Sequence, residues 1–149
     1  MSFGFTLYGQ PATKKNSAMM VAKHACLLPS KAYKRYEAEC RKQMSTMKLE
    51  HFTGNVNLCC LYWLRDKAHW PDLNGLLQAI CDIISDEYTR KSGTKVLSRE
   101  WVLADDRLVR SFNGSMIAGI DREKPRVEIV ITESKEKPID PYVLKQKEQ

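Results

Sequence analysis

The chain has 149 residues, enough to bury one core without disulfide or metal staples. With 43% apolar and 28% charged residues it has globular balance, which excludes a wholly disordered chain. No apolar run approaches the roughly 18 residues of a membrane span, and the N-terminus has no secretory pattern, so the expectation is a cytoplasmic protein. The net charge of +6 is unevenly placed. Residues 10–50 hold nine Lys/Arg against three Glu, whereas 51–132 carry eleven of each sign and the tail 133–149 four of each. Such a distribution is expected of a polyanion-facing surface on a neutral scaffold. A merely solvated basic helix is the alternative.

In chain order, FGFTLY (3–8) alternates Phe3, Phe5 and Leu7 with smaller or more polar residues and predicts a first strand. Gly9 and Pro11 end it, and TKKNS (13–17) begins an irregular basic loop. Ser30 reads as the N-cap of a helix over about Lys31–Met47, with Tyr33, Tyr36, Cys40 and Met44 inward and Lys34, Arg35, Arg41 and Lys42 outward. NVNLCCLYWL (55–64) predicts a second strand. After a charged loop, Asp72 opens a helix whose apolar stripe is Leu73, Leu76, Leu77, Ile80 and Ile84. Residues 86–95 read as a polar insertion, 99–106 and 107–112 as short strands or one strand and its continuation, 113–125 as turn-rich, and 126–132 as a last strand.

The order β-α-β-α-β-β-β predicts a small α+β single domain over 1–132, with two main helices packed on a mixed or antiparallel sheet. The charged tail 133–149 follows. The five cysteines, Cys26, Cys40, Cys59, Cys60 and Cys81, lack CxxC spacing and read as reduced thiols serving as small core hydrophobes.

The acidic residues carry the chemistry. Asn74, Gln78 and Asp82 recur every fourth residue and form one polar stripe on an otherwise apolar helix. Asp72 starts that helix, and Asp105-Asp106 follows the apolar run WVLA. Each has a bland alternative: a helix cap for Asp72, a solvated position for Asp82 and a turn for Asp105-Asp106. If helix and strand pack together, these carboxylates converge and repel one another unless a cation neutralises them. Mg²⁺ suits such oxygen ligands.

PDLNGLLQAICDII (71–84), followed by ADDRLV (104–109), resembles the signature of the RusA-type Holliday-junction resolvases, the crossover junction endodeoxyribonucleases. That pattern runs Pro-Asp-Leu-Asp-Asn-Leu-x-Lys-x-x-x-Asp, with an Asp-Asp pair at a later strand end. GQPATKKNS (9–17), the helix with AYKRYEAECRKQM, NVNLCCLYW and RVEIVITE fall in the family's order.

The resemblance implies catalytic roles for Asp72, Asp82 and Asp106, with Asn74 and Gln78 at two further signature positions. It implies Mg²⁺, or Mn²⁺, on Asp72, Asp82, Asp105 and Asp106. The chain departs from the pattern at Asn74 for the second aspartate, Gly75 for the asparagine and Gln78 for the lysine. Lys14, Lys15, Lys34, Arg35, Arg41 and Lys42 would grip phosphate backbones. The implied protein is a homodimer, encoded by a bacterium, prophage or phage, that cuts four-way junctions or related branched DNA in recombination and repair. The other reading is a RusA-like protein that binds branched DNA without cutting.

Overall fold

The computed structural model describes residues 2–14, 30–68 and 70–135, and the backbone at 19–20 and 27–28. Lys15, Cys26 and the tail from residue 136 lie outside the described residues. The described elements are β1 (Ser2–Tyr8), β2 (Met19–Met20), β3 (Leu27–Leu28), α1 (Lys31–Met44), β4 (Val56–Leu64), α2 (Leu73–Ile84), β5 (Glu87–Lys91), β6 (Thr94–Arg99), β7 (Val109–Ser111), β8 (Met116–Ile120) and β9 (Arg126–Glu133). A short 3-10 turn, Asp106–Leu108, precedes β7. No described helix is long and apolar enough to cross a membrane.

Strict alternation makes β4 the central strand: Val56, Leu58, Cys60, Tyr62 and Leu64 are buried and the residues between them half-buried. Antiparallel β9 lies on one edge of β4, with antiparallel β1 beyond it. The other edge is shared by two parallel strands, β7 at Val56–Asn57 and β8 along Leu61–Leu64. The register stacks the apolar positions into rows: Phe3–Ile131–Leu58, Phe5–Ile129–Cys60 and Leu7–Val127–Tyr62. Both helices cover this face, giving the expected α+β domain with a mixed sheet.

Helix α1 begins as expected, with the Ser30 hydroxyl accepting from Tyr33 N at 3.0 Å and Tyr33, Tyr36, Cys40 and Met44 buried. It stops at Met44, short of the expected Met47, where the Ser45 and Thr46 hydroxyls donate back to the carbonyls of Lys42 and Gln43. Helix α2 is buried almost all round, and the Tyr62 hydroxyl donates to its Leu76 carbonyl at 3.0 Å. Its outward residues are the polar stripe, Asn74 and Gln78 exposed and Asp82 half-exposed. The described cysteines are free thiols, with Cys40, Cys60 and Cys81 in the core. Burial pushes Cys40 and Cys81 up to about 12, so both stay neutral near pH 7.

Three expectations are corrected. The polar insertion 86–95 joins the following residues as the β5–β6 hairpin, turned by Ser92 (φ 54°) and Gly93 (φ 79°). Two positive φ values in succession match the right-handed twist of a two-residue hairpin. Residues 99–106 form no continuous strand beyond Arg99: Trp101, Val102 and Leu103 are buried, and Leu103 makes single bridges to Phe52 and Ser85. Within the turn-rich stretch, 116–120 is strand β8.

The start of α2 depends on a close approach. Asp72 Oδ1 accepts from Gly75 N at 2.7 Å, and a Cβ on Gly75 would overlap that carboxylate and lie 3.1 Å from Thr13 Cγ2. Alanine gains at most about 1 kcal/mol of helix propensity over glycine. Losing the cap costs about 1 kcal/mol, and displacing the buried Thr13 costs more. Gly75→Ala is therefore expected to lower the urea-unfolding free energy by about 1 kcal/mol, and equal or greater stability would show that the cap is not formed.

Candidate active site

The end of α2 and the residues before the 3-10 turn are sewn together by backbone bonds. Val102 N and Leu103 N both donate to Ile84 O at 3.0 Å, and Asp86 N donates to Leu103 O at 2.8 Å. With Leu103 fully buried, the following Ala104, Asp105 and Asp106 are held beside the last turn of α2. Between them opens a cavity of about 220 Å³, lined by Asp82, Asp86, Asp105 and Asp106, with Tyr88 and Lys95 of the hairpin also on its wall.

The four carboxylates differ in state. Asp105 caps the 3-10 turn, accepting from Arg107 N at 2.8 Å and from the Arg107 guanidinium at 3.1 Å through each oxygen. These bonds hold its carboxyl well below the usual aspartate range. Asp106 is pushed the other way, by partial desolvation first and then by the hydrogen bond and charge of Asp105 and the charge of Asp82. Asp82 pairs with the Lys14 ammonium, which also lies 5.3 Å from the Tyr33 ring centroid. Asp86 is spent on the fold: its side chain is only 3% exposed, and it bonds His51 Nε2 at 2.9 Å and Trp101 N at 2.7 Å.

The structure thus brings together Asp82, Asp105 and Asp106 of the expected set. Asp72 and Asn74 do not line that cavity. Asp72 is the exposed N-cap of α2, and ten helical residues at 1.5 Å each put its backbone about 15 Å from that of Asp82. Gln78 lies between, exposed and one turn before Asp82.

Two of the residues expected to contact DNA have partners within the chain. Arg41 is engaged with Glu37 (3.2 Å), Glu87 (3.1 Å) and the Asp82 carbonyl (3.3 Å). Lys14 is paired with Asp82 at the acidic site, its side chain still partly exposed. Lys34, Arg35 and Lys42 are exposed on α1 as expected. The fold adds residues to the site that the sequence does not single out: Asp86 with His51, and the hairpin's Tyr88 and Lys95. Arg107, which the sequence offers as a basic residue in place of the signature's lysine, is bound to Asp105.

Among the described residues, no group of three His, Cys, Asp or Glu side chains is set to cage a metal ion. Mg²⁺ does not require one, since it keeps several waters and is held by one or two carboxylates together with substrate phosphates. Asp82 and Asp106 supply hard oxygen donors on one cavity, and the upward push on Asp106 is repulsion that a cation there would relieve. The donor set fits that ion. No protein-family model matches the chain, and no curated protein matches it.

Proposed function

We propose that the chain is a Mg²⁺-dependent endonuclease acting on branched DNA, of the RusA type that its signature resembles. The observation that carries this reading is the cluster of Asp82, Asp105 and Asp106 on one small open cavity, where desolvation first and then the other two carboxylates push Asp106 toward its protonated form. Asp82 and Asp106 would hold Mg²⁺ or Mn²⁺. Such an ion, when bound, polarises a phosphate and lowers the pKa of a bound water.

The residues around the cavity divide the remaining work. Asp105, locked by Arg107, stays ionised and keeps the negative field that attracts a cation. Lys14 neutralises Asp82 in the free protein, and its ammonium would stand beside a phosphate oxygen brought to that carboxylate. Gln78 brings no charge, so Lys14 supplies the cation that the signature's lysine would bring. Exposed Lys34, Arg35 and Lys42 of α1 would contact backbone outside the cavity. Two copies of the chain would set two such cavities on a four-way junction.

One observation favours a second reading. Lys14 and Arg107 already neutralise Asp82 and Asp105, which suits a protein that binds branched DNA without cutting it. A divalent-metal titration separates the two. The nuclease reading expects nicking of branched DNA that rises with Mg²⁺ or Mn²⁺, and binding without nicking at any metal concentration would select the second.

A further inference from the structure

β5 and β6 form a two-stranded ribbon that pairs with no other described strand, and every residue of β6 is exposed. Residues 87–99 contain four cations, Arg90, Lys91, Lys95 and Arg99, against the single carboxylate of Glu87. That carboxylate is taken by Arg41 at 3.1 Å and by Trp101 Nε1 at 2.8 Å. Arg90 and Lys95 stand directly opposite each other across the ribbon. Like charges so placed destabilise a hairpin, and an isolated two-stranded ribbon is marginal in water to begin with. Two of the cations lean on aromatic faces, Lys95 on Tyr88 and Arg99 on Trp101, each at 4.4 Å. Tyr88 and Lys95 line the acidic cavity, and Tyr88, Arg90, Lys95 and Leu97 share one face of the ribbon.

A ribbon whose four cations form no ion pair among the described residues, starting at an acidic cavity, fits a polyanion that must also enter that cavity. We propose that the β5–β6 ribbon is a nucleic-acid grip, its Arg90–Lys95 face lying along the phosphate backbone of duplex DNA beside the Asp82–Asp106 cavity. This assignment rests on DNA being the partner, and goes beyond it by locating the grip on the hairpin. Phosphate contacts of this kind position the duplex without reading its bases.

The test is binding of the full chain to a four-way junction and to a linear duplex in EDTA, across a salt series. EDTA removes divalent ions, so binding is read apart from cutting. Arg90→Gln/Lys95→Gln should weaken both complexes by about tenfold to a hundredfold at 0.1 M salt. It should also flatten the slope of log K against log salt by about 1.8, at about 0.9 for each phosphate no longer neutralised. Arg90→Lys/Lys95→Arg, which keeps both charges, should restore the slope. Arg90→Gln alone should remove about half of the change, which keeps the test sound if the double variant folds poorly.

A folded double variant with an unchanged slope overturns the grip. If wild type and variant both still cut with Mg²⁺, the nuclease reading stands without it. A ribbon-dependent slope in a protein that never cuts supports the grip and overturns the nuclease. A wild type that binds neither DNA at low salt overturns both.

Discussion

Asp106→Asn is expected to stabilise the metal-free protein at neutral pH and to lower junction cleavage by about 10²–10³, the usual cost of losing one preorganised charged group. The two effects share a cause. Asp106 titrates above the ordinary aspartate range because desolvation, Asp105 and Asp82 disfavour its ionised form. A carboxyl raised in the folded state contributes stability where it is protonated, and that contribution is lost as pH rises through its folded value. Asparagine removes the loss. The gain in melting temperature should therefore be present at pH 7 and vanish below the ordinary aspartate range.

Asp105 runs in the opposite sense. Lowered by Arg107, it contributes stability above that range and loses it as pH falls through the folded value. Mg²⁺ adds the complementary readout. A ligand bound only by the native state stabilises by RT ln(1 + [L]/Kd), about 2.7 kcal/mol at a hundred times Kd. Wild type should gain with Mg²⁺ and Asp106→Asn should gain less. Equal melting at pH 7, with equal gains from Mg²⁺, would remove Asp106 from the site.

Lys14→Gln is expected to slow cleavage by about 10², since it takes the ammonium from Asp82. Gln78→Lys in that background should recover part of the rate. Residue 78 precedes Asp82 by four, so its side chain lies on the same helix face, one turn away. The two changes act on one carboxylate and should be non-additive, which single-turnover rates of both singles and the double will read. Without recovery, Lys14 acts instead through the loop that seats Thr13 against Gly75. Asn74→Asp, by contrast, should leave the metal requirement unchanged. Its backbone lies eight helical residues, about 12 Å, from that of Asp82.

These contrasts mark what can be read from a chain of this kind. The inward stripes of α1 and β4 are legible because apolar residues recur at 3.6 and at 2, and the rows of β1, β9 and β4 follow from the same alternation. Asp82 is legible as an acid inside an otherwise buried helix. Which end of α2 meets Asp105 is not, because the recurrence of 74, 78 and 82 fixes a face and says nothing of its ends. The β5–β6 ribbon has little apolar alternation, and only Ser92-Gly93 hints at its turn. Trp101–Leu103 looks like a strand by composition, yet it is buried with only single backbone bridges, from Leu103 to Phe52 and Ser85, and joins no sheet. Lys14 meets Asp82 across 68 residues of chain, a contact no local pattern encodes.

The most direct test of the central claim is cleavage of a synthetic four-way junction beside linear duplex and flap DNA, with Mg²⁺ and with EDTA, by wild type, Asp82→Asn and Asp106→Asn. The account predicts Mg²⁺-dependent cutting of branched DNA by wild type, none in EDTA, and loss of cutting in both variants with junction binding kept or tightened, because less negative charge faces the phosphates. Cutting by both variants at the wild-type rate, or no cutting of any branched substrate by wild type, would contradict it.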